Sequence, residues 1–217
     1  MSHPQNSYRR ATLGIATVLV LASLWYVGTT LTGFINPVRF PRPDEVGAAF
    51  KFISTEGYGN GKLHQHIWHS LQLVAMGFGV AVSVGVPLGL LMGYSRRAEA
   101  LINPAFLLLR PIPPLAWIPL AIVWLGLGNS AKMMVIFFAA FVPSVINSYT
   151  GVRNMDTPVL EASRMLGIRG WRLVSEVLVP GSLPMIFTGL RLSLQASWTT
   201  LVAAELIGAL YGLGSIL

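Results

Sequence analysis

The sequence predicts an all-helical membrane protein, a bundle of five spanning helices that forms one domain over residues 1–217. Three observations predict it. Apolar residues fill 53% of the 217 positions and charged residues only 11%, about half the charged share of a soluble domain. Several apolar stretches reach the ~20 residues needed to cross a hydrocarbon core. The net charge of +7 is gathered in the short connections between those stretches, as the positive-inside rule requires. It does not form the one-sided basic face or tail that binds nucleic acid. The absence of cysteine removes disulfides, thiolate chemistry and cysteine zinc sites.

The first span is expected over residues 11–34, uncharged and preceded by Arg9 and Arg10, which puts the N-terminus in the cytoplasm. It is too long for a signal-peptide core and lacks a small-x-small cleavage site. Residues 35–66 are rich in Pro, Gly and charge and read as an external loop, with a short amphipathic helix over residues 44–53. The second span, residues 71–94, ends at the cytoplasmic stop Arg96 and Arg97. Within it Gly77, Ala81, Gly85, Gly89 and Gly93 recur every four residues, a row of small side chains against which another backbone can pack.

Residues 100–127 are apolar but interrupted by Arg110, Pro111, Ile112, Pro113 and Pro114. Three prolines remove donors and block helical bonds, and a break exposed to lipid leaves backbone groups unsatisfied. It is therefore expected to be buried in protein or to line a cavity. A fourth span over residues 133–152 leads to a polar cytoplasmic stretch, residues 153–184, carrying Arg153, Arg164, Arg169, Arg172, Asp156, Glu161 and Glu176. The fifth span covers residues 185–210. The segments assigned inside hold eight basic residues in 47 positions, and the outer loop four in 32, a bias of the expected sign.

The cytoplasmic stretch holds the most specific pattern. Glu161, Ala162 and Ser163 are followed after three residues by Gly167, and after nine more by Val177, Leu178, Val179 and Pro180. A short helix capped by a left-handed Gly167, then an amphipathic helix over residues 171–179 stopped by Pro180, forms a knob suited to a groove on a soluble partner. The spacing resembles the EAA motif of ATP-binding-cassette (ABC) importer permeases, with Ser163 for Ala and Val177 and Val179 for Ile and Leu. Arg110 to Trp117, Thr188 to Arg191, and Ala203, Ala204, Glu205 and Leu206 extend the likeness, from about residue 66 onward, to the branch that handles nitrate, sulfonates, taurine and bicarbonate.

This resemblance implies the type I ABC importer permease fold in a bacterial inner membrane, with a small anion, taurine or another sulfonate, as the solute. Nitrate, bicarbonate or another organic anion is the alternative. It further implies two ABC ATPase subunits, a second permease copy forming a homodimer, and an extracytoplasmic substrate-binding protein. Family members have a sixth span, and the chain is expected to lack it. From a different class, a channel-like or scaffold subunit without a coupled ATPase is the competing reading.

In the fifth span Arg191, Gln195, Trp198, Val202 and Glu205 are spaced four, three, four, three and share a helix face. Ionisable groups inside a membrane face a bundle interior or a wet cavity. Arg191, Gln195, Trp198 and Glu205, with Arg110 at the broken helix, are therefore the candidate translocation path. The alternative makes Arg191 an interfacial anchor and places Glu205 in a structural pair at the outer mouth.

Three other chemistries fit poorly. Gly57 to Leu63 is one residue short of a phosphate-binding loop and has Leu63 where a hydroxyl is needed, so ATP hydrolysis is expected in a separate partner and no cofactor is expected. His64, His66 and His69 have no carboxylate cluster nearby in sequence, so no metal site is assigned. No nucleophile, base and acid set that would make the chain an enzyme is evident.

Overall fold

The computed structural model describes residues 4–32, 40–59, 61–207 and 212–215. The expected ends of the first and fifth spans, Phe34 and Leu210, lie outside them, as do residues 35–39 of the expected external loop. The described residues are helical with short connections, and the chain divides into two compact units, Met1–Tyr58 and Gly59–Leu217.

In the first unit α1 (Pro4–Tyr26) continues as a π-helical turn, Val27–Leu31. From Leu13 to Leu24 its apolar side chains are mostly about 60% exposed, the mark of a helix whose solvent is lipid. The second helix, α2 (Pro43–Thr55), covers the expected residues 44–53. Its start is fixed by Pro43 and by the Arg42 N–H, which donates to Glu45 Oε2 at 2.9 Å. Trp25 ties α1 to the approach to α2, donating from its indole N–H to the Pro41 carbonyl at 3.1 Å and meeting Phe40 edge-on.

The second unit contains α3 (Leu63–Tyr94), α4 (Arg96–Leu109), α5 (Trp117–Leu125), α6 (Asn129–Arg153), α7 (Thr157–Met165), α8 (Trp171–Leu173) and α9 (Val179–Leu206). Helix α6 is its axis, with α3 along one side and α9 along the other. The small-residue row explains how α3 fits. A Cβ on Gly77 would fall 2.6 Å from Ile136 Cγ2, one on Gly89 2.5 Å from the Val145 carbonyl, and one on Gly93 2.6 Å from Val152 Cβ. The α6–α9 seam repeats the device at Gly189, whose added Cβ would fall 2.6 Å from Asn147 Cβ. It adds hydrogen bonds, with Ser193 donating to the Ala140 carbonyl at 2.7 Å beside Ser144 at 2.8 Å. In lipid, where burying apolar surface gives helices no special attraction for each other, close packing and such bonds hold them together.

The proline-interrupted segment is a bent helix pair: α4 and the stretch Pro114–Leu125 lie at 73° to each other. Among the described residues four helical runs are long and apolar enough to cross a membrane, Thr12–Leu31, α3, α6 and Trp171–Leu206, and the bent pair taken as one span makes five. Two boundaries depart from expectation. Helix α3 begins at Leu63, eight residues before the apolar core of its span, because polar His64, Gln65 and His66 extend it without needing lipid. Pro180 does not stop the helix that starts at Trp171. A π-helical turn, Val174–Leu178, leads into α9 with the Val179 N–H bonded to the Val174 carbonyl. Pro180 then lies in the first turn of the next α-helical register, where its missing N–H costs least. The fifth span is thus the far part of one helical run.

Candidate functional site

The motif over residues 161–180 folds into a knob made of α7, the turn after it, and the first turns of the run from Trp171. Helix α7 ends as its sequence asks. Gly167 takes φ +77°, a conformation that L side chains rarely adopt, and the Ile168 N–H reaches back to the Ser163 carbonyl at 3.0 Å. This is the six-to-one bond of a Schellman cap. Gly170, also at positive φ, completes the reversal into Trp171.

The underside of the knob is apolar and anchored. Val152, Leu173 and Leu178 are buried at its centre, with Leu90, Leu160 and Ile168 packed around them. The C-terminal ends of α3 and α6, which carry Leu90 and Val152, therefore hold it in place. Ser163 is 5% exposed and spends its hydroxyl on the Leu160 carbonyl at 2.8 Å. Val177 and Val179 are half-buried and Pro180 is exposed. The upper surface is the reverse: Glu161 and Ala162 are exposed, and Met165, Leu166 and Trp171 are 87%, 79% and 78% exposed. Three large apolar side chains held out on a buttressed turn form a patch of the kind that marks a protein contact.

The candidate path residues do not meet as one stripe. Gln195 lines an open groove with Pro114, Leu115, Pro143, Leu192 and Thr199. Arg110 lines an adjoining hollow that shares Pro114, Pro143 and Ala196 with the first. The proline break therefore borders a recess of two adjoining hollows, one lined by Arg110 and the other by Gln195. Arg191 is exposed one turn before Gln195. Trp198, by contrast, packs against the buried cluster of Leu73, Val74, Ile136 and Leu201. Glu205 is 1% exposed and lies at the opposite end of the unit from the knob. On α9, Arg191, Gln195, Trp198, Val202 and Glu205 share an arc of about 80° at 100° per residue, and that arc is wide enough to straddle the edge between the recess and the helix seam. The groove follows Leu192, Gln195, Ala196 and Thr199, a stripe rotated away from the one the spacing suggested.

Glu205 sits in a polar knot. Ser70 Oγ donates to its carboxylate at 3.0 and 3.3 Å, the Gly214 N–H donates at 2.8 Å, and Lys132 Nζ lies 3.8 Å away. Lys132 was not singled out by sequence, since it lies one residue before the fourth apolar stretch. A lone lysine at a span boundary is an ordinary interfacial anchor until its partner, 73 positions on, is seen. His66 commits both ring nitrogens, Nδ1 accepting the Gly212 N–H at 3.1 Å and Nε2 meeting the Gly61 carbonyl at 3.2 Å. That arrangement fixes its tautomer and leaves no lone pair for a metal.

Comparison with known proteins places this geometry. Residues 85–217 match the family described as binding-protein-dependent transport system inner membrane component. The chain is 37% identical over 207 residues to the taurine transport system permease protein TauC of Escherichia coli (strain K12), covering 95% of this chain and 75% of that one. It is 34% identical over 201 residues to the putative aliphatic sulfonates transport permease protein SsuC of Bacillus subtilis (strain 168), covering 93% and 71%. With the bicarbonate transport system permease protein CmpB of Synechococcus elongatus it shares 33% identity over 208 residues, covering 93% and 74%. Across the leading relatives the match spans from 62% to 75% of their length.

Proposed function

Because this chain belongs to the family of binding-protein-dependent transport system inner membrane components, we propose that it is the permease subunit of an ATP-driven importer of a small anion, with taurine or another sulfonate the leading solute. The similarity to taurine and sulfonate permeases supports the solute class, and the similarity to a bicarbonate permease keeps that anion as the alternative. ATP is bound and hydrolysed by two separate subunits. A second copy of this chain completes the pathway, an extracytoplasmic binding protein delivers the solute, and the N-terminus lies in the cytoplasm of a bacterial cell.

One observation carries the reading: the buttressed knob presents Met165, Leu166 and Trp171 beside Glu161. A freely moving loop would absorb a push, whereas a capped turn seated on Val152, Leu173 and Leu178 passes it to the ends of α3, α6 and α9. The recess bordered by Arg110 and Gln195 is the transport path, with Arg191 at its approach, and the bend after α4 supplies its wall. Trp198 and Glu205 support that path from the helix seam.

The test is uptake of radiolabelled taurine, alkanesulfonate, nitrate and bicarbonate in cells that express the chain with its cognate ATPase and binding protein. Glu161→Lys and Gly167→Pro are expected to abolish ATP-dependent uptake while the protein still inserts. Unchanged uptake in both removes the coupling role and favours a channel-like subunit.

A further inference from the structure

At the start of α4 lies an open hollow that the transport reading does not use. It holds about 250 Å³ and is lined by Arg96, Glu99, Ala100, Asn103 and Pro104 of α4 and by Arg153 at the end of α6. That volume is several times the ~30 Å³ of one water molecule, room for a phosphate and part of its ester.

The charges in the hollow leave a surplus. Glu99 is already answered: the Tyr149 hydroxyl and the Arg153 guanidinium both donate to its Oε1, and Arg153 lies 3.3 Å from its Oε2. Arg96 is exposed and Asn103 half-buried, and among the described residues neither has a hydrogen-bond or ion-pair partner. Two arginines against one carboxylate make the hollow a net cation, with a guanidinium fork and an amide N–H₂ still to be satisfied. A guanidinium matches phosphate oxygens two at a time.

The surroundings say which phosphate. At 100° per residue, Arg96, Ala100, Asn103 and Leu107 fall within about 60° of one another, so the face that begins at the arginine runs on into an apolar side chain that is 51% exposed. Leu101 and Leu108 beside it are 81% and 76% exposed, whereas Ile102 and Phe106 turn the other way into the core with Met92 and Phe141. One side of α4 therefore offers a basic hollow followed by bare leucines. A free phosphate satisfies the hollow alone, whereas a lipid satisfies both parts, and basic pockets between helix ends are where anionic head groups bind.

We propose that this hollow binds the phosphodiester of an anionic glycerophospholipid, with Arg96 and Asn103 on the phosphate and an acyl chain along Leu107 and Leu108. The proposal does not depend on which solute the chain passes or on the docking role of the knob.

The test is binding of dioleoyl phosphatidylglycerol to the full chain, purified with its ATPase in a neutral detergent and read by native mass spectrometry. Dioleoyl phosphatidylcholine, which has no net charge, and glycerol phosphate, which has no acyl chain, are the comparison ligands. Wild type is expected to retain phosphatidylglycerol in preference to both. Arg96→Gln with Asn103→Leu is expected to weaken that binding about tenfold or more, the scale of losing hydrogen bonds to a charged group. Arg97→Gln removes the same charge one position outside the hollow and is expected to bind as wild type does. Arg96→Gln alone serves if the double variant does not fold, and is expected to weaken binding as well.

Unchanged binding in the Arg96 variants overturns the proposal. So does an equal loss in Arg97→Gln, which would reduce the effect to diffuse surface charge. Glycerol phosphate held as tightly as the lipid, or phosphatidylcholine held as tightly as phosphatidylglycerol, overturns it too.

Discussion

At the scale of single residues, the α3–α6 contact is set by side chains that are absent. Gly89 faces the Val145 carbonyl, a backbone atom that cannot rotate out of the way, so an added Cβ at 2.5 Å must push the helices apart. Gly89→Leu is expected to cost about 1–3 kcal/mol or more, read as a fall in the thermal midpoint of the detergent-solubilised protein. Gly79 shares the helix but has nothing within 4 Å of its added Cβ, so Gly79→Leu is expected to leave that midpoint unchanged. The four-residue period made this row legible in the sequence because both the period and the packing are properties of one helix. Gly167 was legible for the same reason, since a helix end and its cap are local. The partner of Glu205 was not, because nothing periodic links it to Lys132.

At the scale of elements, the bend after α4 is what opens the recess beside Gln195 and Arg110. Pro113→Ala with Pro114→Ala restores two N–H donors and relieves the clash with preceding carbonyls. The variant is expected to straighten the 73° bend and to lower uptake while membrane insertion is unaffected. Spin labels placed on α4 and α5 read the change as a longer interhelical distance, and the cysteine-free sequence makes such labelling clean. An unchanged distance would mean that packing, including Trp117 stacked on Phe138 at 4.1 Å, sets the angle without the prolines.

The sequence marked this break because proline acts on its own backbone neighbours. It misplaced the stop at Pro180 for a related reason. Proline's effect depends on whether it falls in a first turn or an interior one, and the π-helical turn that moves Pro180 into a first turn has no signature of its own. Likewise, the spacing in α9 identified a shared face but not which neighbour each edge of that face meets, so Gln195 lines the recess while Trp198 is packed into the seam.

For the molecule as a whole, the second unit carries an exposed apolar patch at one end and a buried charge pair at the other. Trp171→Asp with Met165→Asp is expected to abolish co-purification of the ATPase subunits without changing the level of the chain in the membrane. Retained co-purification would move the docking surface away from the knob. The two ends are joined by a single length of helix. The run from Trp171 to Leu206 has 36 residues and at 1.5 Å per residue measures about 54 Å, well beyond the ~30 Å of a hydrocarbon core. Mechanically it is a connecting rod. Its foot stands among the exposed side chains of the knob and its head carries Glu205, so a thrust at Trp171 is expected to be passed along it toward the far end. The π-helical turn near the foot is the joint where such a thrust can be lost as play.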